Sequence, residues 1–477
     1  MMRHRTTLVC VLAAAALSLA AQQQPAHDMS NMPGMQMPGM QMPATTPAQA
    51  ADPVASMSGR APMTLAQFED LALRNNPTLQ QATRVVERSA GQARQAGLLP
   101  NPVVGYQGEQ IRGGIQDGGE QGGFIQQTIP LGGKLGLRRE VFEQQRRADE
   151  IGASKQRYRV LGGVDQAFYS ALAAQETVTV RRNLLGLTQD ALTTARQLAN
   201  VGQADAPDVL QSEVEAEQAQ VEYETAEYDY VQTFQSLAAI AGQRDLPLAR
   251  LTGDLETLPV IDTAHVMDTI LRDSPAIKRA QQDVTRAETA LKSARREVAP
   301  DLQLRAGLEQ NFEPLGESGP LHAVGAQGFV TAGITIPIFN RNQGNIEAAK
   351  ADLERMRAEV SRTQLSLFQS AQPVIQTFIS DRMRAQSYKD QVIPRAERAY
   401  QLYLTRYRQM ASAYPQVIVS QRTLLSLRVG YIQSLRSAWM DAISLRNYLL
   451  SGGLDPASAS GSASTSINLP GAGGSPE

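Results

Sequence analysis

Between Lys134 and about Ala199 the chain runs without a proline and with few glycines. At 1.5 Å of rise per residue, a helix of that length reaches roughly 100 Å. No globular domain encloses such an element, so the stretch reads as a rod or as part of a coiled coil. The turn NVGQADAP ends it, and a helix from Asp208 to about Ala241 returns. A second rod, Asn342–Gln409, follows the same plan, with Pro373 and Pro394 predicted as bends. MASAYP is its turn and Gln416–Leu450 its returning helix. There Ile418, Leu425, Ile432 and Trp439 recur every seven residues, with Leu435, Ala442 and Leu449 between them, which is a heptad seam.

Both rods are entered the same way. Gly122–Lys134 (GGFIQQTIPLGGK) and Gly328–Arg341 (GFVTAGITIPIFNR) each read as a strand ending in Ile-Pro, then a turn, then a charged helix. Proline suits the end of a strand because it lacks the N–H that a ladder needs. Three landmarks recur in order at an offset of about 200 residues: Pro77 with Pro275, Pro130 with Pro337, and Pro207 with Pro415. The chain is therefore one helix–hairpin–helix–helix unit written twice, over 64–258 and 259–454. The first copy opens with a helix over Thr64–Leu98, capped by Thr64 and broken at Asn76-Pro77; the second opens with His265–Val298. Arg244–Pro259 reads as an irregular linker.

Four strands are predicted, over Asn101–Ile111, Gly122–Pro130, Asp301–Phe312 and Gly328–Pro337, with IRGGIQDGGEQ as an exposed turn. In the third, Leu302, Leu304, Ala306 and Leu308 face one way, and Gln303, Arg305, Glu309 and Asn311 the other. Val330, Ala332, Ile334 and Ile336 repeat the apolar stripe. Such alternation fits a transmembrane barrel strand, apolar to lipid and polar to lumen, and it also fits a half-exposed strand of a soluble sheet. Four strands beside rods this long would leave a soluble sheet without a core. The 5% aromatic content and the mean hydropathy of −0.28 suit helices that bury a narrow seam. Beyond the first twenty residues no segment offers about twenty uninterrupted apolar residues, so a membrane would be crossed by strands. The fold class is mainly α with membrane β.

The N-terminus reads as a signal peptide over 1–20, with Arg3 and Arg5, then the apolar run Leu8–Leu19, then small residues before Ala21. Cys10, the only cysteine, lies inside that run, where lipoprotein processing would not use it. Residues 21–63 and 455–477 read as disordered tails. The first tail holds His27, Met29, Met32, Met35, Met37, Met40 and Met42 among prolines and glycines. Thioethers are soft ligands that select Cu(I) or Ag(I) over Zn(II). The competing reading is a linker lengthened by repeat slippage.

Signal peptide, duplication, two hairpins and two long helical hairpins together resemble the TolC-type outer-membrane efflux factor family, over about Thr64–Leu454. The specific parts are the junctions TIPLGGK and TIPIFNRNQG and the turns VGQADAPDVLQSE and RYRQMASAYPQVIVSQ. The resemblance implies a homotrimer in which each protomer gives four strands to one outer-membrane β-barrel. Its helices would join a coiled-coil barrel through the periplasm, docking a periplasmic adaptor and an inner-membrane RND-type pump. It also implies that aspartates near the tip narrow the entrance. By motif match Asp208 holds such a position, with Asp205 beside it and Gln211 near. The second copy has Gln416 there, and Asp205 or Asp208 could instead cap the returning helix. The junctions resemble the heavy-metal branch of the Cus/Czc type.

Catalysis and nucleic-acid binding find no support. None of the four histidines, His4, His27, His265 and His322 (the last in a predicted extracellular loop), forms a spaced pair such as a metalloenzyme uses. There is no phosphate-binding loop, so energy for pumping must come from a partner. The net charge of −2 comes without any basic cluster interleaved with aromatics. The reading is a passive conduit, exporting copper or silver ions or, alternatively, drugs and general solutes, with a type I secretion duct as a third option.

Overall fold

The computed structural model describes residues 60–111, 119–202, 205–315, 322–409 and 414–456. The expected signal peptide, Cys10, the Met-rich segment and most of the C-terminal tail lie outside them. In chain order the elements are β1 (Met63–Thr64), α1 (Leu65–Asn75), α2 (Pro77–Ala96), β2 (Val103–Glu109), β3 (Glu120–Pro130), α3 (Lys134–Asn200), α4 (Ala206–Ile240) and β4 (Leu251–Thr252). Then come α5 (Val266–Asp273), α6 (Pro275–Arg296), β5 (Asp301–Leu315), β6 (His322–Ile334), α7 (Gln343–Ser387), a π turn (Tyr388–Val392), α8 (Ile393–Arg408) and α9 (Tyr414–Arg446).

The duplication is visible in how the helices begin. Asn76 and Ser274 each cap a helix whose first residue is proline, accepting from Thr78 N at 2.9 Å and from Ala276 N at 3.3 Å. Proline is tolerated there because its missing N–H would have had no helical partner. Asn76 does more than cap: its Nδ2 donates to Ile240 O (2.8 Å) and Gly453 O (3.0 Å), tying α2 to both chain segments that close the body. Each rod is preceded by a residue in the left-handed region, Gly133 (φ 73°) and Asn342 (φ 57°). Glycine and asparagine are the types that visit that region at least cost.

The 67 residues of α3 form the longest element. It packs against α2 and α6 towards its start and against α4 and α9 further along. The main core lies where α1, α3, α4 and α9 meet. Phe68 sits against Phe168 and Phe234, each with ring centroids 6.1 Å away. Trp439 stacks on Tyr169 at 3.6 Å and donates to Leu255 O at 2.8 Å. Tyr230, buried here, donates to Ala249 O at 2.6 Å. On α9, Leu425, Ile432, Leu435 and Trp439 are buried towards α3 and α4, whereas Ala438, Ala442 and Leu445 join a second core with Ile375 and Phe378 of α7. The residues of the expected heptad seam are thus divided between two buried faces. Leu449 lies outside α9 with φ 60°.

The four long strands form one antiparallel sheet in the order β2-β3-β5-β6, so the central β3–β5 pairing joins the two copies. At its base Lys134 Nζ meets Asp301 Oδ1 at 2.7 Å, and Arg138 pairs with Glu297 through two 2.8 Å bonds.

Five expectations are corrected. The linker after α4 contains β4, which pairs in parallel with β1 (Met63 with Leu251, Thr64 with Thr252). Two-residue strands carry no periodicity to read. The same ladder orders the end of the N-terminal tail, where Arg60 Nη1 donates to Leu248 O at 2.7 Å. The C-terminal tail likewise begins later than expected, since Asp455 O accepts from Gln156 Nε2 at 2.9 Å. The last long strand starts at His322, which therefore pairs with Leu315 rather than lying in a loop, and it ends at Ile334, before Ile336-Pro337. Finally, α7 continues through Pro373, and the interruption near Pro394 is a π turn just ahead of it. Burial of Ala371, Ile375 and Phe378 offsets the hydrogen bond that Pro373 cannot make.

One buried acid gives the body a pH dependence. Burial pushes Asp165 of α3 up to about 7, helped by the Glu69 carboxylate, with which it shares a hydrogen bond, and opposed by Arg446. Its Oδ1 is buried without a hydrogen-bond partner among the described residues. A carboxyl with a raised folded-state pKa binds more protons folded than unfolded, so its contribution falls as pH rises from the unfolded value towards 7. Asp165→Asn is therefore expected to raise the melting temperature at pH 8 and to change it little near pH 5. Equal shifts at both pH values would contradict this.

Candidate functional site

Two surfaces carry the chemistry of a conduit: the two faces of the sheet and the free end of the first helical hairpin. Register assigns the sheet faces. Val104, Ile125, Ala306 and Val330 stand side by side across all four strands, and Ile129, Leu302 and Ile334 form another row of the same face. This face is mainly apolar and open, with Val104 76%, Leu308 76% and Val330 82% exposed, and its polar members are Gln127, beside Leu304, and the Gln121–Gln310 pair further from the helices. The opposite face carries Gln107, Glu109, Glu120, Gln126, Thr128, Gln303, Arg305, Glu309, Asn311 and Thr331 by the same register. A sheet apolar on its open face and polar on the other is built for lipid outside and water inside. β2 and β6 are its edges. An edge with unpaired N–H and C=O groups cannot stand in lipid, so the sheet must close with further strands.

The polar face has an internal order that alternation did not reveal. Gly105, Phe124, Gly307 and Phe329 form one row across the sheet. A Cβ on Gly105 would lie 2.5 Å from the Phe124 ring, and one on Gly307 would lie 2.6 Å from the Phe329 ring. The glycines thus let the two rings lie down on the sheet. The sequence shows the glycines and the phenylalanines, but only the register makes them neighbours.

At the tip, Asp205 is the N-cap residue of α4, yet its side chain makes no capping hydrogen bond; its carbonyl accepts from Asp208 N at 3.0 Å. Asp208 lies in the first turn, where a negative charge meets the helix's positive end. Both carboxylates are exposed. Gln211 donates to Glu215 Oε1 at 3.0 Å along α4, and Gln416 is exposed in the first turn of α9. The side-chain capping reading of Asp205 therefore fails, and both aspartates present charge to solvent. The residues expected to bind metal, His27 to Met42, lie outside the described residues. Among the described residues no cluster of three or more His, Cys, Asp or Glu side chains could hold a metal ion, and no helix is long and apolar enough to cross a membrane.

A membrane-facing sheet continued by long helical hairpins defines a channel subunit of the outer membrane. The chain belongs to the outer membrane efflux protein family, whose model matches residues 69–243 and 266–449. It is 24% identical over 397 residues to the cobalt-zinc-cadmium resistance protein CzcC of Cupriavidus metallidurans, covering 83% of this chain and 92% of that one. It is 26% identical over 293 residues to the nickel-cobalt-cadmium resistance protein NccC of Alcaligenes xylosoxydans xylosoxydans, covering 61% and 64%. Its fold matches a crystal structure of CusC with a TM-score of 0.65 at 18% identity, covering 88% of this chain and 99% of that one. The protein is an outer-membrane efflux channel component, a passive conduit and not an enzyme.

Proposed function

We propose that the protein is the outer-membrane conduit of a heavy-metal exporter, assembled as a homotrimer and coupled through its helical tip to a periplasmic adaptor and an inner-membrane RND-type pump. The observation that carries the conduit is the four-stranded sheet with an apolar open face and two unclosed edges. Three copies joined edge to edge would close it. An exposed stripe on α4 supports the same assembly: Val214, Val221 and Tyr228, seven residues apart, are each about 60% exposed, as a seam awaiting a neighbouring helix would be.

The cargo we assign is Cu(I) or Ag(I), because the segment from His27 to Met42 concentrates soft thioether ligands among prolines and glycines. The names of the two resistance relatives favour a second reading, divalent cobalt, zinc or cadmium. Growth of a deletion strain across copper, silver, zinc, cobalt, cadmium and hydrophobic drugs separates them. Copper or silver sensitivity, rescued by the full chain and not by one lacking Met29–Met42, is the expected result. Sensitivity to cobalt, zinc and cadmium alone would replace the cargo, and sensitivity to drugs alone would remove metals from the account.

At the tip, Asp205 and Asp208 would place a ring of negative charge at the periplasmic entrance, with Gln211 and Gln416 as its neutral neighbours. The double change Asp205→Asn/Asp208→Asn is expected to raise conductance in planar bilayers. An unchanged conductance would leave the two acids as partners of the helix dipole.

A further inference from the structure

Arg305 is the only Lys or Arg in β2, β3, β5 and β6. It stands on the polar face, one row from the Gly-Phe-Gly-Phe row, and its side chain lies back across that row. The guanidinium carbon is 4.0 Å from the centre of the Phe124 ring and 5.6 Å from that of Phe329. Its Nη2 donates to Gln107 Oε1, and Gln107 Nε2 donates in turn to Glu109 Oε1 at 2.6 Å. Its Nε is buried without a partner, and no carboxylate lies within ion-pair distance of it among the described residues. The charge is therefore oriented by two aromatic faces and an amide, and it is not neutralised by contact.

That arrangement is costly for a residue of no consequence. Glycine at 105 and 307 weakens two strands so that two phenylalanines can lie flat, and the flat rings form the plates on which the cation rests. Further from the helices on the same face stand Glu309 and, opposite each other, Glu109 and Glu120. The polar face thus carries a positive level followed by a negative one. Rings of fixed side-chain charge are the means by which pores sort ions.

We propose that Arg305 is a specificity-determining residue of the conduit. Held on Phe124 and Phe329, it sets a positive ring inside the outer-membrane barrel that lowers the passage of free cations relative to anions. Glu309, in the row of Gln107, and Glu109 and Glu120, in the row beyond, offset it. The inference rests on the reading of the sheet as part of a closed barrel with its polar face inward.

The test is the ratio of potassium to chloride permeability of the full chain in planar bilayers under a potassium chloride gradient. Asp205→Asn/Asp208→Asn serves as the common background, so that tip charges do not dominate. Arg305→Gln is expected to raise the ratio about twofold or more, Arg305→Lys to leave it unchanged, and Glu309→Gln to lower it. Thr331, paired with Arg305 across β5 and β6, supplies a second route. Thr331→Glu keeps the arginine and its aromatic plates and is expected to raise the ratio as well. Pores that form with an unchanged ratio in Arg305→Gln would overturn the inference alone, whatever Thr331→Glu does. If Arg305→Gln inserts no pores, an unchanged ratio in Thr331→Glu decides against it. Absence of pores in the background protein would overturn the barrel reading and the inference with it.

Discussion

Replacing Val330 with arginine is expected to remove most of the protein from the outer membrane, whereas Thr331→Arg, one residue on, is tolerated. Val330 is 82% exposed in mid-strand and stands in the all-apolar row with Ala306, Ile125 and Val104. An arginine at the midplane of a barrel's lipid face costs about 2–4 kcal/mol. At about 1.4 kcal/mol per factor of ten, the substitution shifts insertion by about thirtyfold or more. Thr331 faces the polar side beside Arg305, where added charge meets water. Outer-membrane fractionation and the yield of assembled protein measure both. Equal behaviour of the two variants would mean that the sheet does not separate lipid from water.

The second large effect is in the helical body. Phe68→Ala is expected to destabilise it by about 3–5 kcal/mol, the usual cost of emptying a buried phenylalanine site. Phe68 is fully buried and is the residue by which α1 grips both Phe168 of α3 and Phe234 of α4. Surrounding helices anchored along a 67-residue rod have little freedom to collapse into the space, so the cavity persists. Leu73→Ala on the same helix removes a side chain that is 38% exposed and should cost much less. Loss of helical circular dichroism on heating in detergent gives the comparison; similar midpoints for the two variants would contradict the packing described.

Both effects trace back to what the chain shows before it folds. The Asn76-Pro77 step announces a helix break because cap and proline act locally, whereas the matching Ser274-Pro275 step, inside a stretch read as one helix over His265–Val298, divides it into α5 and α6. The alternation in Leu302–Leu308 announces a two-faced strand for the same reason, and the proline-free run after Lys134 announces α3. What stayed hidden is non-local. Phe124 and Phe329 have no period to betray them, and their partners Gly105 and Gly307 become neighbours only when register is fixed. Arg305 was legible as polar-facing, while the rings that hold it were not. Pro373 misled because the local penalty of a helical proline is outweighed by the contacts of Ala371, Ile375 and Phe378. The tip lies between these cases: Asp205 and Asp208 were found by motif, but that the Asp205 side chain leaves the cap unbonded follows only from geometry.

The most direct test of the account is the mass of the full complex extracted from outer membranes, measured by light scattering with the detergent contribution subtracted. A mass near three times that of the 51.7 kDa chain, lost when detergent is withdrawn, is the result the closed-barrel account requires. A monodisperse single chain that stays soluble without detergent would contradict it.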